Sequence, residues 1–202
     1  MPHKPFSQAC ENNKEPILQV IRTLFCEPIT IWEIGSGTGQ HACYFARHLP
    51  HVHWQPTDRT ENIPGINLWR EEAHTPNLKS ALTLDVTDAV WPCVSIDALF
   101  TANTLHIMSS DEVKIFFDRL AVYLSPNALM CIYGPFNYNG AYTSDSNARF
   151  DQWLKNQNTL SGIKHVEDIL LLATSRGFSL LSDSEMPANN RLLVLKNHKG
   201  HC

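Results

Sequence analysis

Two periods of apolar residues alternate along this chain, and their order sets the fold class. Residues 15–25 (EPILQVIRTLF) put Ile17, Leu18, Ile21, Leu24 and Phe25 on one helical face. Residues 29–34 (ITIWEI) are a short apolar run, as a buried strand is. The helical period returns over residues 39–49, with Ala42, Phe45, Ala46 and Leu49 inward and Pro50 as its stop. Strand patterns recur at residues 51–58, 81–86, 95–103 and 128–136, and helical ones at 66–73, 109–124, 146–157 and 164–177. Gly177 closes the last of these helices. Residues 178–187 and 191–197 finish the chain as two strands, bridged by the turn-forming PANN at 187–190.

Strands alternating with helices predict a parallel sheet covered on both faces. The last two strands have no helix between them, so they pair antiparallel. A dinucleotide-binding fold does not usually end in such a hairpin.

Composition narrows the function classes. A chain of 202 residues buries a substantial core as one domain. Its net charge of −4 and lack of any basic run argue against nucleic acid as a partner. No apolar run is long enough for a membrane span and the N-terminus has no apolar signal core, so neither membrane nor export is expected. The cysteines are scattered without a CxxC, and Cys43 and Cys131 sit inside apolar patterns as buried hydrophobes do. A cytoplasmic location is the expectation.

Chemistry concentrates where the first strand ends. Glu33 is followed by Gly35, Gly37 and Gly39, whose bare backbone lets a ligand lie directly on the turn into the next helix. Residues 37–42 also satisfy the dinucleotide pattern G-x-G-x-x-A, which keeps a nicotinamide-dependent oxidoreductase open. A carboxylate beside the loop repels a pyrophosphate and attracts an ammonium group. Asp58 closes the second strand, where a carboxylate accepts the hydroxyls of a ribose. Asp85 closes the third, placed for an adenine amino group or for a nearby backbone turn. Acids on successive strand ends suit adenosine joined to an amino acid.

These motifs, EIGSGTGQH, PTD and LDVTD, resemble the first three cofactor motifs of class I S-adenosylmethionine-dependent methyltransferases. The segments FSQACENNKEPIL, NTLHIM, YGPFNYNGAYTSDSNARFDQWL and MPANN together resemble a methyltransferase-like family found in bacteria and animals. The resemblance implies a Rossmann-like α/β fold: a seven-stranded, mostly parallel sheet with its last strand antiparallel and helices on both faces. It divides the single domain 1–202 into an N-terminal helical segment (1–27) over the cofactor, a core (28–197) and a tail (198–202). The cofactor implied is S-adenosyl-L-methionine. Glu33, Gly35, Gly37 and Gly39 would surround the methionine moiety, Asp58 the ribose, and Asp85 with Val86 the adenine. Asn12, Asn13 or Lys14 would touch the carboxylate or the acceptor; otherwise this stretch is a solvated helix start, with Pro16 in its first turn.

The methyl acceptor, expected to be a small molecule, points to the ends of strands four and five. Asn103 ends the fourth strand and His106 follows in its loop. Asn103 would orient an amine or hydroxyl and His106 would take a proton. His106 equally reads as a packed histidine bonded to backbone. Tyr133, Phe136, Asn137 and Tyr138 form either an aromatic wall with amide groups or core plus turn. Asn189 and Asn190 are pocket candidates or simply a turn. No metal site is expected: the only tight ligand cluster is His198, His201 and Cys202 at the terminus. A protein that binds the cofactor or its demethylated product without methyl transfer stays open, because no unambiguous base is present.

Overall fold

A computed structural model describes residues 4–93 and 95–198. Seven strands form one sheet in the order β3-β2-β1-β4-β5-β9-β8, and two short strands, β6 and β7, form a second. The chain divides into two compact units, one up to Thr101 and one from Ala102 onward.

The first unit begins with α1 (Gln8–Leu24), then β1 (Thr30–Ile34), α2 (Gln40–His48), β2 (His53–Asp58), α3 (Ile63–Ala73), β3 (Leu82–Thr83) and β4 (Ile96–Ala102). β1 pairs parallel with β2 and with β4, setting Glu33 opposite Pro56 and Phe100. Four of the five β1 residues are buried, as a strand covered on both faces requires. Phe45, Trp54 and Phe100 pack with ring centroids 5.3–5.7 Å apart, so α2, β2 and β4 share one aromatic core.

Two elements of the first unit depart most from the periodicity. Helix α1 starts at Gln8 rather than Glu15, which places Pro16 inside the helix and not in its first turn. Its added turns are polar, so no apolar period marks them. The Ser7 side chain caps the helix by accepting from Cys10 N, and Asn13 is its buried polar residue. Strand β3 is only Leu82–Thr83, shorter than the expected 81–86. Leu84 N still donates to Asp58 O at 2.8 Å, but the Asp85 carboxylate then captures the Thr87 N–H and hydroxyl and turns the chain.

The second unit holds α4 (Ser110–Tyr123), β5 (Leu124–Gly134), β6 (Phe136–Asn137), α5 (Asp145–Gln157), β7 (Lys164–His165), α6 (Val166–Ser175), β8 (Phe178–Met186), a 3₁₀ turn (Pro187–Asn189) and β9 (Asn190–Asn197). A capping box between Ser109 and Glu112 starts α4. β9 runs antiparallel to both β5 and β8, so the last strand is the reversed one. Leu192, Leu193, Val194 and Leu195 are fully buried, which is why this strand reads as a continuous apolar run. The β6–β7 ribbon pairs Phe136 with Lys164 and Asn137 with His165; strands this short carry no sequence period.

No described helix is long and apolar enough to cross a membrane. Cys43 and Cys131 are buried, and the five described cysteines are free.

Candidate functional site

The glycine loop between β1 and α2 is held from below by β2. Gly35 N and Ser36 N both donate to Thr57 O at 3.0 Å, and the Thr57 hydroxyl donates to Glu33 O at 2.8 Å. Gly35, Gly37 and Gly39 all take positive φ (74°, 57° and 87°), the region that side chains disfavour. Two of these glycines are required for different reasons. A Cβ on Gly39 would meet the Ile66 backbone at 3.0 Å, so this glycine lets α3 pack against the start of α2. A Cβ on Gly37 would meet nothing within 4 Å, so the loop faces open space there.

Asp58, at the tip of β2, binds that open loop. Its Oδ2 accepts from Gly37 N at 2.6 Å, while Oδ1 accepts from Arg59 N at 2.7 Å and Asn62 Nδ2 at 2.9 Å. A carboxylate has about four acceptor positions, so capacity for a further donor remains. Glu33 is fully buried, and its Oε2 accepts from Trp54 Nε1 at 2.9 Å. Burial, with the Asp58 charge adding to it, pushes its carboxyl up to about 7. An incoming ammonium group would favour its ionised form.

Asp85 sits in the turn after β3. Its Oδ1 accepts from Thr87 and its Oδ2 lies 3.3 Å from Arg59 Nε, and the Thr87 hydroxyl bond foremost holds its carboxyl below the usual range. The backbone-turn reading thus accounts for its contacts, and Val86 beside it is buried.

The N-terminal segment docks onto the helix that the glycine loop starts. Gln40 Oε1 accepts from Ser7 N at 2.6 Å, and Gln40 Nε2 donates to Glu11 Oε1 at 2.7 Å. Asn13 Oδ1 meets His41 Nε2 at 2.6 Å. Trp69 Nε1 donates to Pro5 O at 2.6 Å, and the Pro5 ring lies where a Cβ on Gly65 would be, 2.6 Å away. Asn12 is exposed and accepts from Gln8, and Lys14 pairs with Glu11 and lies over the Tyr44 ring. Of the polar residues here, Gln40 and Asn13 tie the helix down. Gln40 was not singled out by its sequence; its signal is an amide directly after the last loop glycine, at a helix start.

In the second unit, Asn103 takes a left-handed φ of 60° and its N–H donates to Tyr133 O at 2.9 Å, joining the loop after β4 to the end of β5. Tyr133 is buried. His106 is also buried, its ring edge-on to Phe150 at 5.2 Å. Burial first, and the Lys164 charge second, push its imidazole down to about 4. Neither ring nitrogen hydrogen-bonds a described residue, so the expectation of a backbone-bonded core histidine holds for burial and not for bonding. Asn137 is buried, and its Oδ1 has no partner among the described residues. Phe136 is core, and the Tyr138 hydroxyl donates to Asp183 at 2.7 Å.

The MPANN turn holds α5. Asn189 O accepts from Asn147 Nδ2 at 3.1 Å, and Asn190 Nδ2 donates back to Pro187 O at 3.0 Å. Among the described residues no group of three or more metal-ligating side chains could hold an ion. His201 and Cys202 of the terminal cluster lie outside the described residues.

Solved structures share this architecture. An O-methyltransferase family protein from Burkholderia thailandensis matches with a TM-score of 0.82 at 14% identity, over 93% of this chain and 57% of that one. An O-methyltransferase family 2 protein from Planctomyces limnophilus, solved with apigenin, matches at 0.82 and 13% identity, over 94% and 58%. The calicheamicin-biosynthesis methyltransferase CalO1, in its S-adenosylhomocysteine-bound form, matches at 0.70 and 13%, over 84% and 49%. The chain therefore spans about half to three-fifths of the length of these proteins. At such identities the likeness shows the fold alone, that of class I methyltransferases. The family model described as "protein of unknown function (DUF938)" matches residues 4–197, nearly the whole chain, and the protein belongs to that family.

Proposed function

We propose that this protein is an S-adenosyl-L-methionine-dependent methyltransferase acting on a small molecule. The observation that carries the reading is the loop at Gly37: positive φ, open space above its Cα, and an amide held by Asp58. The donors and acceptors around it fit the cofactor. Asp58 is a carboxylate for a ribose, and Glu33, ionised by an incoming cation, is one for the ammonium group; a diphosphate of a nicotinamide dinucleotide would be repelled by both.

When bound, the cofactor supplies a methyl group on a cationic sulfur, which leaves by in-line displacement. The remaining work is positioning and proton handling. In the first unit, Gly35 and Gly37 present backbone to the ligand, with Glu33 and Asp58 as its acids, and Gly39 seats α2 against α3 at the end of the loop. Asn12 and Lys14 are turned to contacts within their own segment and α2, so Gln40 and Asn13 act there instead, anchoring α1. In the second unit, Asn103 and Tyr133 set the loop. A neutral His106 imidazole accepts the proton of a hydroxyl, whose acidity rises as its oxygen gains the methyl. The buried Asn137 Oδ1, without a partner among the described residues, offers a second acceptor for a polar group of the small molecule. The O-methyltransferase descriptions of the fold's neighbours agree with an oxygen nucleophile.

Calorimetry with S-adenosylmethionine, S-adenosylhomocysteine and reduced nicotinamide dinucleotides tests the cofactor. Binding of the first two and not the third is expected; the reverse overturns the reading. Transfer of labelled methyl to a panel of hydroxylated small molecules tests the activity, and cofactor binding without transfer to any of them would favour a sensor.

A further inference from the structure

The loop that carries His106 is clamped through its backbone by one short segment. Three consecutive carbonyls are bonded in turn: His106 O accepts from Gly162 N at 2.9 Å, Ile107 O from Ser161 Oγ at 2.6 Å, and Met108 O from Lys164 Nζ at 2.7 Å. Lys164 Nζ also donates to Gly162 O at 3.0 Å, closing the clamp on itself. The donor segment is in turn fixed by the buried Asp151. Its Oδ1 accepts from Ile163 N at 2.7 Å, and its Oδ2 from the Tyr142 hydroxyl at 2.7 Å and Lys155 Nζ at 2.6 Å. A Cβ on Gly162 would lie 2.9 Å from Asp151 Oδ1, so the segment passes this carboxylate only as glycine.

The ring of His106 is treated differently from its backbone. Gly134 lies beneath it, with the position of an added Cβ 3.7 Å from Nδ1. The main chain is thus fixed while the ring nitrogens meet no hydrogen-bonding partner among the described residues, which leaves them for a ligand. Lys164 is itself half-buried, and both of its hydrogen bonds go to carbonyls rather than carboxylates.

We propose that Lys164 is a positioning residue for His106: its ammonium pins the Met108 carbonyl, which sets the loop so that the imidazole is presented unbonded and holds a fixed positive charge on that same loop. The proposal rests on the reading of His106 as the group facing the methyl acceptor. Among the other charged or titratable groups on the surrounding elements are Glu112 on α4, Asp151 and Lys155 on α5, Tyr142 before α5, and His165 on β7, with Arg149 also on α5 and Tyr133 on β5. The first is taken up in the α4 capping box, and the next three bond one another. Lys164 is the charge that acts on His106.

Nuclear magnetic resonance titration of the His106 imidazole in the ligand-free protein tests this without requiring activity. In Lys164→Met the midpoint should rise by about one pH unit, the scale of one nearby charge at intermediate dielectric. Lys164→Arg should keep it near the native value. Lys164→Gln retains a donor for Met108 O without the charge, and it decides the matter if the methionine variant does not fold: its midpoint should rise as well. A native midpoint in folded Lys164→Gln or Lys164→Met overturns the proposal. Should His106→Gln keep full methyl transfer while the Lys164 variants still move the midpoint, the clamp stands and the catalytic reading of His106 falls.

Discussion

Glu33 and Asp58 are neighbouring acids in unlike settings. Asp58 has three N–H donors on its oxygens, whereas Glu33 has the Trp54 indole and an otherwise closed environment. With its carboxyl at about 7, Glu33 is partly protonated near neutrality and must ionise to pair with a ligand ammonium. Cofactor binding should therefore expel a proton. Affinity for S-adenosylmethionine is expected to climb with pH by up to about tenfold per unit below pH 7 and to level off above it. Glu33→Gln keeps the acceptor for Trp54 but cannot ionise, so its affinity should be lower and flat across the same range. Calorimetry in two buffers of different ionisation heat would detect the proton. Equal pH profiles for the native and variant proteins would remove Glu33 from the ammonium site.

The turn from β1 into α2 separates two uses of glycine. At Gly39 the space is closed by Ile66 and φ is +87°, so Gly39→Ala meets both a collision and a strained backbone. It should lose about 1–3 kcal/mol of stability. At Gly37 the Cβ meets nothing, so Gly37→Ala costs only the left-handed conformation, about 1 kcal/mol, yet projects a methyl toward the proposed ligand. Melting curves and cofactor titrations of both variants should rank them oppositely: Gly39→Ala worst in stability, Gly37→Ala losing at least about tenfold in affinity for its small stability cost. If Gly37→Ala binds normally, the loop is a turn and no more.

The same elements explain what could be read from the chain and what could not. Strands β1, β4 and β9 are largely buried, and helices α2 and α4 pair an apolar stripe with a boundary signal, Pro50 after α2 and the Ser109–Glu112 capping box before α4, so their patterns were legible. The first two turns of α1 are held by Ser7, Gln40 and the Asn13–His41 pair. Hydrogen bonds between residues about thirty positions apart leave no period. The clamp on residues 106–108 is of the same kind: its donors are an ordinary serine, glycine and lysine more than fifty positions away. Of the candidate site, the glycine loop and the acids at the strand ends stand out in the sequence because backbone freedom and charge have few substitutes. Which polar side chains have hydrogen bonds taken up within the fold, as Asp85, Asn12 and Asn190 do, does not, because those partners are set by the folded backbone.

Across the whole chain, buried titratable groups in both units set how stability follows pH. His41 and His106 are each pushed from 6.5 down to about 4, chiefly by burial. Each takes up a proton more readily when unfolded, so the stability it contributes is present above pH 6.5 and is lost as pH falls toward 4. Glu33 acts in the opposite sense. Its carboxyl is raised from 4.5 to about 7, so its contribution is full below pH 4.5 and is lost as pH rises through 7. Between these limits two histidines oppose one carboxyl, and each fully displaced proton is worth about 1.4 kcal/mol per pH unit. Stability should thus rise with pH up to about 6.5, fall slightly to about 7 and then level. Asp151, whose carboxyl its hydrogen bonds hold below the usual range against burial, steepens the acid limb further. Glu33→Gln should erase the decline near neutrality and gain stability at pH 8, on the order of 3 kcal/mol at most, with little change at pH 4.5. Thermal unfolding from pH 4 to 9 measures both curves. A native curve that falls steadily from pH 5 to 6.5 would mean that the two histidines are not held neutral in the folded chain, and a Glu33→Gln gain as large at pH 4.5 as at pH 8 would mean that the carboxyl is not held protonated.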